Sequence, residues 1–427
     1  MTTAKGSTPD WLPKDSALRH GVVIVTRDAS RSGAPLTALN LSKALIRDHG
    51  IPVVSVLRAG GPLEGEFHRL GPVFHIPSSH LPGAFHAAES RPLLRLAKHA
   101  VYAVGQAVRA RHWRRLHRFL KTQRIGHAIC NTVLSGSAAA ELKAGGIQVI
   151  GLAHELTYSI RFRNWTGEAK ALIANSQALI VAGSSIRDAY RAEFPAASTP
   201  IHIVPQSHNI DPASLTNEYR LSHRGAVRTR LGLAEADVMV MGCGTADLRK
   251  GVDFFVQTAR EMAIGKSFSL PNGGRIVLVW LGNIEPGYRV WAEKDIIELG
   301  MQGRLIFLRS TPDAAPHYAA ADIFFQCSRE DPFPNVVLEA MASGLPVVGF
   351  AGTGGVEEQV GNAAGVIVPY ADTKAAAEQL HRLALAPDMR LQMGGSGRAR
   401  IDALGGFTAY AGRLLGIMSQ YEQSATK

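Results

Sequence analysis

"SREDPFPNVVLEAMASGLPVVGF", residues 328–350, carries a carboxylate, Glu339, on a short predicted helix between two apolar segments. Segments 323–327 and 346–350 are rich in Val, Ile and Phe, which predicts a buried parallel strand on either side. Pro334 suits the first turn of the helix, and Gly344 suits its end. Burying a bare carboxylate costs several kcal/mol, so we expect Glu339 to be paired or hydrogen-bonded.

The same unit, an apolar run followed by a turn and a helical stretch, repeats along the chain. The predicted strands are 22–26, 53–57, 73–77, 127–131, 149–154, 178–183 and 201–205, then 238–244, 275–282, 305–309, 323–328, 346–350 and 365–369. This alternation is typical of α/β proteins with parallel sheets. Because segment 206–237 lacks such a run, we expect two doubly wound, Rossmann-like domains with a ligand cleft between them.

The composition, 46% hydrophobic and 19% charged over 427 residues, is typical of a soluble globular chain. Three cysteines, Cys130, Cys243 and Cys327, are widely separated, which predicts neither a disulfide framework nor a metal knuckle and fits a reducing compartment. The sequence shows no signal-peptide pattern and no apolar stretch of about 18 to 20 residues. We therefore expect a cytoplasmic protein, or one held on a membrane from outside.

Lys and Arg outnumber Asp and Glu by 46 to 35, and the excess is concentrated in segment 91–124, which contains no acid. Placed on a helix, five cations of this segment share one face, opposite Trp113, Leu116 and Leu120. They are Arg111, Arg114, Arg115, Arg118 and Lys121. Such a helix fits a solvated surface, or an anionic membrane or lipid-linked substrate. Nucleic acid is a weaker alternative, because no zinc-finger spacing or aromatic ribonucleoprotein motif accompanies the cations.

Three loops at predicted strand ends carry groups suited to a polar ligand. In the first, "RDASRSGAPLTALNLSKAL" at 27–45, Ser32 can cap the following helix and Pro35 suits its first turn. The N–H groups around Gly33 and Ala34 would then be free for an anion or a sugar hydroxyl. A well-capped helix without a ligand explains the same residues, so both interpretations stay open.

The other two loops hold a histidine and a pair of cations. In "GLAHELTYSIR", 151–161, His154 stands at a strand's carboxyl end, where it can contact a ligand or serve a structural role. In "MGCGTADLRKGVDFFVQTA", 241–259, Arg249 and Lys250 precede a helix. Cations at a helix N-terminus are unfavourable unless an anion binds there, so they predict phosphate ligands, with a solvated pair as the alternative.

Glu339 itself fits a ligand with vicinal hydroxyls. Asn335, Glu339 and Ser343 share a polar strip on the helix that should face the cleft. The hydroxyls of a ribose would satisfy both carboxylate oxygens of Glu339. Asp331, in the preceding Pro-rich loop, would lie above the strand end, where a second ring of hydroxyls can bind.

Segment 328–355 resembles the donor-binding motif of the retaining family-four glycosyltransferases, which have the GT-B fold. In that motif two acids separated by seven residues precede "AMA-x-G-x-PVV" and a Gly-Gly pair. Asp331 and Glu339 have this spacing, and Gly354-Gly355 follow. Shorter matches are "SGAP" at 32–35, "RKG" at 249–251, "VWLG" at 279–282 and "AAADIFF" at 319–325.

The resemblance implies a domain arrangement and residue roles. The implied boundaries are 1–18 for a flexible N-terminus, 19–206 for an acceptor-binding domain, 207–400 for a nucleotide-sugar-binding domain, and 401–427 for a last helix returning to the first domain. Asp331 would hold sugar hydroxyls and Glu339 the nucleotide ribose. The implied catalytic residues are His154, Arg249, Lys250 and Asp331. The implied donor-binding residues are Gly33, Ala34, Gly244, Thr245, Arg249, Lys250, Gly282, Asp331, Phe333, Asn335, Val336 and Glu339.

The implied reaction transfers a sugar from a nucleotide diphosphate to an acceptor hydroxyl with retention of configuration, in glycan, polysaccharide or glycolipid synthesis. Lys250, Arg249 and helix N-termini would stabilise the leaving pyrophosphate, so we expect neither a metal ion nor a cofactor. The acceptor would bind near Gly33, Ala34 and the basic helix. Alternatives are a nucleotide-sugar epimerase or a sugar-phosphate synthase of the same fold, or a non-enzymatic membrane-binding protein.

Four positions depart from the motif's usual residues. Asp331 stands where the first acid is usually Glu, and Glu330 beside it is a possible substitute. Pro332 and Pro334 remove N–H donors where glycines are common. Thr245 stands where an arginine usually clamps the pyrophosphate, and Arg249 is the candidate to replace it.

Overall fold

The chain folds into two parallel β-sheets, each surrounded by helices. The computed structural model describes residues 9–77 and 92–425. The strands of the first sheet are β1 Val22–Thr26, β2 Val53–Leu57, β3 Val73–His75, β4 His127–Asn131, β5 Gln148–Ala153, β6 Ala178–Val181 and β7 Ile201–Ile203. Those of the second are β8 Val238–Cys243, β9 Ile276–Leu281, β10 Leu305–Leu308, β11 Ile323–Gln326, β12 Val347–Phe350 and β13 Gly365–Val368.

The strand orders are those of two doubly wound sheets. Within the described residues, the first runs β3-β2-β1-β4-β5-β6-β7 and the second β10-β9-β8-β11-β12-β13. Every position of β1, β2, β4, β9 and β12 is buried, which explains their unbroken apolar runs, since helices cover both faces of a parallel sheet. The predicted α/β fold with two Rossmann-like domains is confirmed.

Helices connect the strands in both domains. In the N-terminal domain they are α1 Gly33–Arg47, α2 Glu64–Leu70, α3 Pro92–Gln123, α4 Gly136–Ala144, α5 Thr157–Phe162, α6 Thr166–Asn175 and α7 Ser184–Glu193. In the C-terminal domain they are α8 Asn217–Arg230, α9 Val252–Ile264, α10 Pro286–Glu298, α11 Ala315–Ala320, α12 Asn335–Ala342, α13 Val356–Val360, α14 Thr373–Leu385 and α15 Pro387–Ala403. The last helix is α16 Gly406–Ala425.

Residues 9–18 are packed on the N-terminal domain, in contrast to the predicted flexible terminus over 1–18. Leu12 and Leu18 are buried in that domain's core. The Ser16 hydroxyl and the Ala17 N–H donate to the carboxylate of Glu422 over 2.6 and 2.7 Å. Apolar burial and this link to α16 fix the segment, so it belongs to the domain. Residues 1–8 lie outside the described part of the chain.

Helix α16 brings the end of the chain back onto the N-terminal domain. Tyr410, Leu414 and Met418 are buried in the same core cluster as β1. One guanidinium, that of Arg413, donates to backbone oxygens at both points where the chain passes between the domains. The acceptors are Pro205 O at 3.2 Å and Leu404 O at 3.1 Å.

Carboxylates of the C-terminal domain hold helix N-termini of the N-terminal domain. Glu358 accepts from the N–H and the hydroxyl of Ser184, at the start of α7, both at 2.8 Å. Glu330 accepts from the N–H of Ser159 at 3.1 Å and from its hydroxyl. These contacts join the two domains across the cleft, between residues 171 and 174 positions apart in the sequence. A carboxylate at a helix N-terminus also satisfies free N–H groups and complements the helix dipole.

The basic face of α3 is exposed, and its apolar face is buried, as the sequence predicts for an amphipathic helix. Trp113, Leu116 and Leu120 are buried. The exposed cations are Arg111, Arg114, Arg115, Arg118 and Lys121. Residue 91, where the basic segment begins, lies outside the described residues. Among the helices of the described residues, none is both long enough and apolar enough to cross a bilayer.

Candidate active site

The loop after β11 and the glycine turn after β12 are joined backbone to backbone. The N–H of Asp331 donates to Thr353 O at 2.7 Å, and the N–H of Gly355 donates to Asp331 O at 3.1 Å. Gly354 has φ +131°, and a Cβ there would lie 2.1 Å from Asp331 O. The Gly-Gly pair is therefore required by a close approach of two chains, which positions Asp331 at the sheet edge.

Lys250 and Asp331 form an ion pair in the cleft. The Nζ of Lys250 lies 2.6 Å from Oδ2 of Asp331, and both side chains are largely buried. The Gln326 side-chain amide donates to the same oxygen at 3.1 Å. The sequence predicts these two residues as separate ligands of phosphate and sugar. The structure brings Lys250 and Asp331 into contact. A ligand that binds one of them must therefore contact both side chains or break their ion pair.

Arg249 and Thr245 lie beside this pair in different environments. One guanidinium nitrogen of Arg249 donates to Glu330 O at 2.9 Å, so the side chain runs along the donor loop. Thr245 is exposed. Glu330, the possible substitute for Asp331, directs its carboxylate to Ser159 across the cleft. Glu330 therefore serves the contact between the domains, and Asp331 is the acid at the cleft.

Glu339 has a protein donor, which the sequence analysis does not foresee. The hydroxyl of Tyr318, a buried residue of α11, donates to its Oε2 at 2.9 Å. Burial raises the pKa of Glu339 to about 7, and the bond from Tyr318 and the charge of Lys250 offset part of that rise. In the described residues no other group donates to this carboxylate. Its second oxygen is available to a ligand.

The N-terminus of α12 presents free backbone N–H groups beside Glu339. Pro334 precedes the helix, and in the described residues the N–H groups of Phe333, Asn335 and Val336 have no acceptor. The Asn335 side chain accepts from Gln206 at 2.6 Å. These groups suit an anion, because the helix dipole adds partial positive charge there.

Gly33 brings the first loop of the N-terminal domain against this helix. A Cβ on Gly33 would lie 3.1 Å from Nδ2 of Asn335, so a larger residue would crowd the contact between the domains. Ser32 does not cap α1 as predicted: its hydroxyl lies 2.9 Å from that of Ser30 and accepts from no N–H of the helix. The N–H groups of Gly33 and Ala34 have no acceptor in the described residues, as the free-amide interpretation expects.

Gly244 and Gly282 close the floor of the cleft on the other side. Their φ angles are +141° and +151°, and a Cβ on Gly282 would lie 1.9 Å from Gly244 O. That oxygen accepts from the indole N–H of Trp280 at 3.0 Å. The two glycines therefore let the ends of β8 and β9 touch, and the side chain of Lys250 passes next to Gly244. Their role is to shape the floor.

His154 lies just beyond β5 and is held by Asn131, at the end of β4. Nε2 of His154 is 2.6 Å from Oδ1 of Asn131, while Nδ2 of Asn131 donates to Ala34 O at 2.9 Å. Burial lowers the pKa of His154 to about 4, so its imidazole is neutral. Glu155 accepts from the N–H groups of Val133 and His154, and burial raises its pKa to about 7. The two hydrogen bonds of the Asn131 side chain thus connect His154 to the loop that contains Gly33 and Ala34.

Three residues that the sequence does not predict form hydrogen bonds with predicted site residues. Asn131, Tyr318 and Gln206 contact His154, Glu339 and Asn335 respectively. A polar residue ending an otherwise apolar strand is the signal that points to Asn131. Tyr318 has no such signal, because a tyrosine among alanines is typical of a core helix.

The arginines of α3 lie beside β3, at the far edge of the sheet.

Comparisons with known proteins agree with this geometry. Residues 236–385 match the family model of glycosyl transferases group 1. The chain is 28% identical over 46% of its length to a GDP-mannose-dependent monoacylated α-(1-6)-phosphatidylinositol monomannoside mannosyltransferase of Corynebacterium glutamicum, covering 50% of that protein. It is 30% identical over 29% of its length to an α-galactosylglucosyldiacylglycerol synthase of Streptococcus pneumoniae, covering 31% of that protein. The chain thus aligns with half or less of these relatives.

A solved structure extends the likeness to the whole fold. HepE of Anabaena, in complex with UDP-glucose, matches with a TM-score of 0.70 at 16% identity, over 94% of this chain and 99% of that one. At this identity the match speaks for the fold alone. The whole chain therefore has the GT-B fold, and residues 236–385 of its C-terminal domain are similar to the glycosyl transferases group 1.

Proposed function

We propose that this protein transfers a sugar from a nucleotide diphosphate sugar to an acceptor hydroxyl, with retention at the anomeric carbon. The observation that carries the proposal is the contact between Lys250 and Asp331 beside the free N-terminus of α12, with Glu339 on the same helix. A cation and free N–H groups suit a diphosphate, and two acids suit the hydroxyls of a ribose and a hexose. The family match and the named activities of the relatives support the same reaction class.

The donor would lie across α12. In this arrangement the free oxygen of Glu339 accepts from a ribose hydroxyl, while the N–H groups of Asn335 and Val336 donate to phosphate oxygens. Asp331, relieved of Lys250 as that lysine turns to the diphosphate, would accept from sugar hydroxyls. The ion pair is therefore a resting contact that a charged donor replaces.

Charge on the departing pyrophosphate would be stabilised by protein groups. Lys250 and Arg249 supply positive charge, and the α12 N-terminus adds the partial charge of its dipole. These groups perform the task that a divalent cation has in other transferases, so we expect turnover to persist in EDTA. His154 would contact the transferred sugar through its free Nδ1 and orient it.

The acceptor would bind the N-terminal domain, in glycan, polysaccharide or glycolipid synthesis. The relatives act in phosphatidylinositol mannoside and diacylglycerol glycolipid synthesis by their names, which favours a lipid-linked acceptor. The exposed cations of α3 would then hold the enzyme on an anionic membrane from the cytoplasmic side. Val104 and Val108 on the same helix are also exposed, and they add apolar contact area.

The test is a product assay after a binding screen. Thermal shift with UDP, GDP and ADP sugars, in EDTA, identifies the donor, and NMR of the product with an acceptor then reports the anomeric configuration. Transfer with retained configuration supports the proposal. A new free nucleotide sugar formed without acceptor means epimerisation, transfer to a sugar phosphate means a synthase, and inversion of the anomer contradicts the proposed mechanism.

A further inference from the structure

Three metal-binding side chains converge on the N-terminal domain, away from the cleft. Glu64 and His68 lie one turn apart on α2, and His75 is the last residue of the edge strand β3. The helix is held in place by Phe67, which is buried in the domain core. All three side chains are partly exposed, so a metal ion and a water molecule can reach them.

The distances between the ligand atoms are close to those of a metal site. Nε2 of His75 is 2.9 Å from Oε1 of Glu64, and Nε2 of His68 is 3.8 Å from the same oxygen. All three ligand atoms lie within 4.8 Å of one another. In a tetrahedral zinc site with bonds of about 2.0 to 2.2 Å, ligand atoms are roughly 3.3 to 3.5 Å apart. Small side-chain rotations would bring the three atoms to those separations.

We propose that Glu64, His68 and His75 bind a divalent transition-metal ion, with zinc as the ion that fits best. Two imidazoles favour zinc, nickel or copper over magnesium and calcium, which prefer oxygen ligands. Three protein ligands leave a fourth tetrahedral position for water. The i,i+4 spacing on α2 places Nε2 of His68 3.8 Å from the same Glu64 oxygen that contacts His75, so two imidazoles face one carboxylate oxygen.

The site has a structural role in this proposal. Strand β3 has only three residues and pairs with β2 alone, so, like β7 at the opposite edge, it is weakly secured in the sheet. A metal bound by its last residue and by α2 would fasten strand to helix. Four strand spacings separate β3 from β5, which places the metal about 19 Å from the strand that precedes His154. Chelation should therefore lower stability and leave cleft chemistry in place, and the inference does not rest on the proposed activity.

Calorimetry on tag-free, chelator-treated protein tests the site with zinc alone. We expect one zinc to bind the wild type and to raise its melting temperature. His68→Gln and His75→Gln should each weaken binding by at least about tenfold, since even outer-shell partners of metal ligands change affinity by about 10- to 100-fold. His20→Gln, at an exposed histidine elsewhere in the same domain, is the matched control and should bind as the wild type does.

A second variant keeps the test decisive should the glutamine variants lose structure. His68→Cys replaces one zinc ligand by another and should retain binding, and with cobalt it should add a thiolate charge-transfer band that the wild type lacks. Absence of that band overturns the proposed geometry. Failure of the wild type to bind zinc, or unchanged affinity in His68→Gln, overturns the site.

Discussion

Asn131 fixes the protonation pattern of His154. The carboxamide must direct Nδ2 to Ala34 O, which only accepts, so Oδ1 faces the imidazole and Nε2 of His154 must carry the proton. Nδ1 is then an unprotonated acceptor, and in the described residues nothing donates to it. His154 therefore offers a lone pair to a ligand hydroxyl, not a proton.

Nitrogen-15 NMR of labelled protein measures this tautomer directly. We expect Nε2–H across pH 5 to 8, because burial lowers the pKa of His154 to about 4. Asn131→Asp places a carboxylate against Nε2 and should raise that pKa toward neutrality, with a fall in turnover larger than any loss of nucleotide affinity. A wild-type His154 that titrates between pH 6 and 7 contradicts the assignment.

Glu339→Gln should weaken nucleotide binding without harming the empty protein. A hydrogen bond to a charged acceptor contributes about 1.5 to 3 kcal/mol, so we expect about 10- to 100-fold lower affinity. Glutamine can still accept from Tyr318. Calorimetry with nucleotide diphosphates measures the affinity, and Glu293→Gln, on the surface helix α10, is a control.

The same variant has a predicted pH dependence. Burial raises the folded-state pKa of Glu339 to about 7 from an ordinary value of 4.5, so the stability that this residue costs grows as pH rises from 4.5 and is complete above about 7, whereas below pH 4.5 the acid is neutral in both states. Glu339→Gln should therefore gain stability at pH 8 and little at pH 5. Equal melting temperature differences at both pH values would show that the acid is not desolvated.

Asp331→Asn should separate the resting ion pair from donor binding. Lys250 then lacks its partner, and we expect a loss on the order of 1 to 3 kcal/mol in unfolding free energy, below the range for a fully buried pair. Affinity for the bare diphosphate should stay near that of the wild type, while affinity for the sugar-bearing donor falls. Equal losses for both ligands would mean that Asp331 does not contact the sugar.

Glu358→Ala should open the cleft of the ligand-free protein. The variant removes the acceptor of two bonds from Ser184 and a charge at the α7 N-terminus, together about 1 to 2 kcal/mol. Small-angle scattering should show a larger radius of gyration than in the wild type. Glu357→Ala is matched, since that neighbouring acid accepts from Gly352 within its own domain. Identical scattering of the two variants rules out a closing role.

Removing the basic face of α3 tests the membrane interaction. Each cation near an anionic surface adds about 1 kcal/mol, so a fourfold serine variant should lose co-sedimentation with anionic liposomes at physiological salt. Its positions are Arg111, Arg114, Arg115 and Arg118. The control removes four exposed cations of the C-terminal domain, Arg260, Lys266, Arg289 and Lys294. Equal loss in both variants means that net charge alone governs binding, and no binding by the wild type means that α3 is a solvated face.

The fold and the strand ends that form the site follow from local sequence. Burial of both sheet faces makes the strands readable as apolar runs, so His154 follows β5, Asp331 lies in the loop after β11, and Lys250 lies in the loop before α9, as predicted. The pairing of Lys250 with Asp331 does not follow, because 81 residues separate them and only the strand order β8-β11 makes them neighbours. A local sequence pattern does not predict contacts that depend on the order of the strands in the sheet.

Side chains with two possible hydrogen-bond partners are the other reason why the sequence does not predict every contact of the site. Ser32 directly precedes α1, where a serine can cap the helix, but its hydroxyl hydrogen-bonds to the hydroxyl of Ser30 instead. Glu330 and Asp331 are adjacent acids, and only the approach of Ser159 from the other domain decides which faces the cleft. Residues 9–18 look polar and free, but two leucines and the distant Glu422 are enough to hold them.

Arg413 ties the two crossings of the chain to each other, at Pro205 and Leu404. Because one guanidinium joins both connections between the domains, we expect it to act as a hinge. Gly405 and Gly406, with φ of +72° and +67°, directly follow Leu404, one of the two acceptors of Arg413. We therefore expect the cleft to open by rotation about Arg413, most widely at the edge farthest from this residue, where a ligand would enter.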